Sequence, residues 1–120
     1  MLTLQYITEV NIARCNRWHK GGLNDWTPAD WMTALVGEIG EAANALKKLK
    51  RLEDDIQNHN SEEGRTIDTR AIAIDKIGKE LADSFLYLNL LACRLGINLE
   101  DKIIEVFNKK SEEYNFPEHL

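Results

Sequence analysis

Between Ile72 and Leu95 the chain carries Ile72, Ile74, Ile77, Leu81, Phe85, Leu86, Leu88, Leu90, Leu91 and Leu95. Their spacing follows the turn of a helix rather than the alternation of a strand, and the apolar side chains reach nearly all the way round it. A helix of that kind must be buried. Four helices from one chain do not cover it easily, so the pattern predicts a dimer at least, with a larger bundle built across the interface.

The remaining sequence supplies the other helices. Leu4, Ile7, Val10, Ile12 and Trp18 mark a first helix from Leu2 to about His19, and "KGGLND" interrupts it with two glycines. Thr27, Pro28 and Asp30 form a helix start: a capping hydroxyl, a residue suited to the first turn, and a charge favoured there. This second helix is expected to run to Leu52 and to end in the basic run Lys47, Lys48, Lys50 and Arg51, which suits a helix C-terminus. The stretch Glu53 to Asp68 is polar, has no sustained period and reads as a loop. A third helix covers Thr69 to Leu95 and stops at Gly96; Asn98 then caps a fourth, Leu99 to about Tyr114. With no strand-like alternation and no linker, the expectation is one all-α domain spanning residues 1–120.

Composition narrows the partners. The 120 residues carry a net charge of −5, which argues against a nucleic-acid backbone as main partner. No apolar run is long enough to cross a membrane, and the N-terminus lacks the basic start and apolar block of a secretory signal. Cys15 and Cys93 form no metal-type cluster and read as reduced core thiols, which points to the cytoplasm.

Two acid pairs sit inside apolar sequence. "LVGEIGEAANALKKL" holds Glu38 and Glu41, and "KELADSFLYL" holds Glu80 and Asp83, each pair three residues apart and so on one helix face. Trp31, Ala34, Ala42 and Ala45 share the first face; Ala73, Ser84, Tyr87 and Leu91 share the second. Small neighbours leave room for a ligand, and a solvated face would carry Lys and Arg partners instead. If the two helices pack together, the carboxylates converge, repel one another and raise their own pKa values unless a divalent cation neutralises them. Oxygen-only ligands suit magnesium or manganese. A di-iron bundle needs Glu-x-x-His, and none of His19, His59 and His119 follows an acid at that interval.

These residues resemble the all-α nucleoside triphosphate pyrophosphohydrolases of the MazG-like superfamily, whose hallmark is E-x-x-E on one helix and E-x-x-D on the next. The resemblance runs through "ALVGEIGEAANALKKL" and "ELADSFLYLNLLACRLGI", and the helix order agrees over nearly the whole chain. It implies a four-helix MazG-like bundle completed by oligomerisation, as a homodimer or homotetramer whose sites use residues from neighbouring subunits. It further implies that Glu38, Glu41, Glu80 and Asp83 hold magnesium on a triphosphate while water attacks, releasing pyrophosphate and a nucleoside monophosphate. Tyr87, four residues beyond Asp83, matches a tyrosine that helps to hold the nucleotide in relatives acting on dCTP. The segment Ala42 to Lys79 is longer than is usual there. On the last helix Val106 and Lys110 stand where some relatives carry a Lys and an Asn toward the phosphates, so neither role transfers.

Cation-mediated contact is the only way for an acidic protein to meet a polyanionic nucleotide. Glu38 or Glu41 would take the proton of the attacking water, and the sequence does not choose between them. No Ser–His–Asp arrangement, activated Cys or Gly-rich phosphate loop is present. For the base, Trp26 and Trp31 lie near the start of the second helix, Tyr87 faces the acid stripe, and His19 could read a base edge. Trp18 reads more simply as core. Lys110, with Asn108 and Lys109, is a loose phosphate candidate whose alternative is surface solvation. The function expected is thus a magnesium-dependent nucleoside triphosphate pyrophosphohydrolase acting on a pyrimidine or modified nucleotide. The alternatives are a non-catalytic helical oligomeric module, or a phosphoribosyl-ATP pyrophosphohydrolase of the same superfamily.

Overall fold

The structure is a computed structural model and describes residues 1–57 and 63–120. Its elements in chain order are α1 (Leu4–Trp18), one 3-10 turn (Gly22–Asp25), α2 (Pro28–Gln57), α3 (Glu63–Arg94) and α4 (Leu99–Glu113). No strand occurs among the described residues. None of the described helices is long and apolar enough to cross a membrane.

Helix ends follow local chemistry. Thr3, not Leu2, opens α1: its Oγ1 accepts from the Tyr6 amide at 3.1 Å. Pro28 begins α2, as expected. At the end of α3, Gly96 takes φ +69°, which lets its amide reach the Cys93 carbonyl at 3.0 Å and the Ile97 amide reach Ala92 at 2.8 Å. Asn98 then caps α4, its Oδ1 accepting from the Asp101 amide at 3.1 Å. The end of α4 repeats the left-handed closure with Asn115, at φ 56°, in place of a glycine.

One expectation is corrected. The segment Glu53 to Asp68 is helix for the most part, since α2 continues through Gln57 and α3 begins at Glu63; residues 58–62 lie outside the described residues. Lys50 pairs with Asp54 one turn on, at 2.9 Å, and Arg70 on α3 reaches Glu53 on α2 at 3.4 Å. Propagating an existing helix by one residue needs no apolar contact, and polar side chains paired at i, i+4 support the extension.

The chain divides into two compact units, Met1–Ala29 with Asn89–Leu120, and Asp30–Leu88. In the first, a ladder of neutral polar groups is buried. Asn89 is 1% exposed; its Oδ1 accepts from Asn11 at 3.2 Å and its Nδ2 donates to Thr8 Oγ1 at 2.9 Å. Thr8 donates in turn to the Leu4 carbonyl at 2.8 Å, and the Arg94 Nε donates to the Trp26 carbonyl at 3.0 Å. Cys15 is buried and Cys93 half-buried, both as free thiols. Burial pushes both thiols up, and the charge of Asp25 adds to the effect at Cys15.

The second unit is a pair of helices running antiparallel. Trp31 lies by Tyr87, Glu41 by Glu80 and Glu53 by Arg70, so one number rises as the other falls. Trp31, Leu35, Ala42 and Ala45 on α2 are buried, as are Ile77 and Ser84 on α3. On α2 they form a row at spacings of three, four and seven, and on α3 the two stand seven apart, the repeat of a packed helix face.

Candidate metal centre

Glu38 and Glu41 stand on α2, and Glu80 and Asp83 on α3, within the antiparallel pair. Glu38 falls in the same row as Trp31, Ala42 and Ala45, and Glu80 in the row of Ile77 and Ser84, so these two carboxylates enter the seam between the helices. Glu41 and Asp83 lie one step round from the seam and are exposed. One oxygen from each of Glu38, Glu41 and Glu80 lies within 4.8 Å of the others. Asp83 is not part of that trio, though its charge acts on both Glu38 and Glu80.

The electrostatics are those of acids crowded without cations. Burial, then the charges of Glu41 and Asp83, push the Glu38 carboxyl up, against a lowering hydrogen bond from Glu80. The Glu80 carboxyl is also raised, first because its protonated form hydrogen-bonds Glu41, then by burial and by the charges of Glu41, Glu38 and Asp83. Burial and mutual repulsion thus favour the protonated forms, as they would favour a bound cation. The second oxygen of Glu80 is more telling. Its Oε2 is fully buried and has no hydrogen-bond partner. A buried acceptor left in that state is costly, and natural structures avoid it unless something outside the chain completes it.

The donor set fits a hard divalent cation. Ligands held about 2.1 Å from magnesium lie at most about 4.2 Å from one another. A small closing movement of three carboxylates already within 4.8 Å reaches that geometry. Further coordination positions would fall to water and substrate, as magnesium prefers. Softer metals find no thiol or imidazole in the trio.

The expected base-binding residues divide. Trp31 is 1% exposed, its ring centroid 6.3 Å from that of Tyr87 and tilted by 46°. The ring that shares a row with Glu38 is therefore packed in the interior, and Tyr87, half-buried, is the more open of the two. His19, Trp26 and Lys110 belong to the other unit and have partners there. His19 and Trp26 meet edge to face at 4.9 Å, with His19 Nδ1 3.8 Å from Asp25. Lys110 lies 5.6 Å above the Tyr114 ring and 3.6 Å from Glu113. Trp18, assigned to core from its spacing, is exposed at 71% with Arg14 over its ring.

Sequence reasoning gave Ser84 only as a neighbour of the second acid pair, and passed over Asn89. Ser84 Oγ donates to the Glu80 carbonyl at 2.9 Å, filling the seam beside the acid without competing for its carboxylate. Asn89 organises the polar ladder of the other unit. An Asn inside "LYLNLLACR" was the available signal, since an amide in such apolar company needs a partner. No family model matches the chain, and no curated protein or solved structure matches it either.

Proposed function

We propose that this protein is a divalent-metal-dependent nucleoside triphosphate pyrophosphohydrolase of the MazG-like kind. The observation that carries the reading is the buried, unpartnered Glu80 Oε2 beside Glu38 and Glu41. The E-x-x-E and E-x-x-D pairs add the motif resemblance. Glu38, Glu41 and Glu80 would hold the ion, with Asp83 at the edge of the cluster. Magnesium or manganese bound there would polarise phosphate oxygens and lower the pKa of a bound water. The acids also decide orientation: a polyanion can approach them only with its phosphates turned to a cation. Glu38 or Glu41 accepts the proton as the water oxygen bonds to the α-phosphorus. The bond to the bridging oxygen breaks, and pyrophosphate leaves with that oxygen. Tyr87 is the ring best placed to border the nucleotide, being half-buried on the Glu80 row. Completion of the helices into a bundle by self-association belongs to the same reading.

A panel of nucleoside triphosphates, with phosphoribosyl-ATP included, tests this in magnesium with pyrophosphate release as the readout. Hydrolysis of at least one compound is expected, abolished by EDTA and reduced about 100-fold or more in Glu38→Gln, Glu41→Gln, Glu80→Gln and Asp83→Asn. Diphosphate plus orthophosphate as products would place the attack at the γ-phosphorus and reject the assignment. The second reading, a non-catalytic helical module, draws on the many exposed apolar side chains. It predicts no magnesium-dependent rise in melting temperature, whereas the enzyme should show one.

A further inference from the structure

A triphosphate brings more negative charge than a dication can balance while Glu38, Glu41, Glu80 and Asp83 surround it. Cationic side chains must therefore share the load. Lys110 on α4 is engaged with Glu113 and the Tyr114 ring in the other unit. Within Asp30–Leu88, Lys50 pairs with Asp54, Arg70 with Glu53, and Lys79 with Asp75 at 2.8 Å. Lys48 and Lys76 are exposed, and neither has an ion-pair partner among the described residues.

Helical geometry puts these two lysines on the side of the open acids. At about 100° per residue, seven residues return to nearly the same direction. Lys48 stands seven residues beyond Glu41, and Lys76 seven before Asp83. Glu41 and Asp83 are displaced from their seam rows by about the same angle in the same sense. Two antiparallel helices packed through such rows are related by a local two-fold axis perpendicular to the pair. Equal displacements therefore bring Glu41, Lys48, Lys76 and Asp83 to one side of it. Lys47 and Arg51 point away from the seam, round the back of α2.

The order along the pair is equally specific. Trp31 and Tyr87 lie at one level, Glu41 and Glu80 at the next, and Lys48 and Lys76 beyond them, within a turn of each other. Tyr87 is four residues past Asp83, about 6 Å along the axis; the lysines are about 10 Å away in the other direction. An extended lysine and a diphosphate together span that distance. Side chains on a helix lean toward its N-terminus, which on α2 carries Lys48 toward the acids. A nucleoside triphosphate has the same order: base and sugar, the α-phosphorus that water attacks, then the phosphates that leave.

We propose that Lys48 and Lys76 receive the terminal phosphates of the substrate, which lies along the α2–α3 pair with its nucleoside end toward Tyr87. This rests on the pyrophosphohydrolase reading and gives it a direction and a rule of selection. A nucleoside diphosphate with its α-phosphorus at the metal offers the lysines one phosphate fewer, so the site prefers triphosphates. The charge on the terminal phosphate is present before the reaction and during it. Contacts to it therefore tighten binding and leave the chemical step nearly unaltered.

Thermal melts of the full chain, with inorganic tripolyphosphate as probe and magnesium in excess, test it. In wild type, magnesium should raise Tm, tripolyphosphate should raise it again, and pyrophosphate should add less. Lys48→Ala and Lys76→Ala should melt as wild type in EDTA, keep the magnesium step and lose most of the second. In hydrolysis, each should raise KM for the triphosphate about tenfold at nearly unchanged kcat, and narrow its preference over the diphosphate. Lys48→Arg and Lys76→Arg should recover most of the loss. Lys50→Ala, at a position paired with Asp54 and off this side, should behave as wild type. A full tripolyphosphate step in the double alanine variant, or a fall in kcat at constant KM, would overturn the lysine role and leave the metal reading standing. Equal losses in Lys50→Ala would also overturn it, since net charge alone would then account for the effect. No magnesium step and no hydrolysis by wild type would reject the proposed function itself, and the lysine role with it.

Discussion

Asn89 and Glu80 lie on the same helix, in different units, and both place polar atoms out of reach of water. Asn89 is satisfied at both ends of its amide, by Asn11 and Thr8. The Glu80 carboxyl is pushed up beside Glu41, and its Oε2 has no partner. A neutral amide between two neutral partners is a finished piece of structure, and it fixes how the helices register. A carboxylate among carboxylates is unfinished, and among the described residues no ion pair reaches Glu38, Glu41 or Glu80. Burial alone therefore does not separate a structural polar group from a functional one; completion of its hydrogen bonding does.

The largest test of this contrast is Trp31→Ala. With the ring buried, the substitution should lower stability by about 3–5 kcal/mol in denaturant titration, far more than it alters substrate affinity. A variant that keeps its stability and loses affinity would move Trp31 from the packing of the unit to its ligand. Asn89→Ala comes next. Removing the partner that Asn89 gives to Thr8 Oγ1 and Asn11 Nδ2 should cost about 1–3 kcal/mol, read from thermal melts, with the magnesium response unaltered. If that response disappeared too, the two polar groups would not be separable.

Glu80→Gln is a smaller effect, and its sign carries the information. In EDTA the variant should melt above wild type, because one repelling charge is gone; in magnesium it should melt below, because it loses the stabilisation that binding supplies. The pH dependence follows from the raised carboxyls. Between the ordinary value of 4.5 and the raised folded-state values of Glu38 and Glu80, the folded chain binds more protons than the unfolded one. The stabilisation is fully present below 4.5 and is lost as pH rises through the raised range, so wild type in EDTA should soften with rising pH and the variant less so. Parallel slopes in the two proteins would return these acids to solvated surface. Smallest is Gly40→Ala: a Cβ there meets nothing within 4 Å, so melting should report a gain of about 0.5–1 kcal/mol.

Much of this architecture was legible in the sequence because its signals are local. Asn98, Gly96 and Pro28 fix helix ends through their own backbone and side-chain chemistry, and each acts where the sequence places it. The acid trio was legible because three-residue spacing on two neighbouring helices needs only their pairing to bring it together. The helical extension past Leu52 was not: Glu53, Asp54 and Asp55 are exposed, and periodicity reports burial. Trp31 was read as a base-binding ring from the row it shares with Glu38, which gives direction round the helix and says nothing of depth. Trp18 was read as core for the converse reason: helical spacing puts it on a face, and that face stayed exposed.

The raised carboxyls of Glu38 and Glu80 give the site the behaviour of an ion exchanger within the range where they titrate. In the pH range where these raised carboxyls are protonated, a dication entering the trio displaces hydrogen ions. Loading with magnesium in weakly buffered solution would therefore acidify the medium. The heat of loading would depend on the ionisation enthalpy of the buffer. For each proton displaced, affinity would fall by about tenfold per unit of acidification within the range where the carboxyls titrate. Within that range, occupancy of the site depends on hydrogen-ion concentration as well as on the dication.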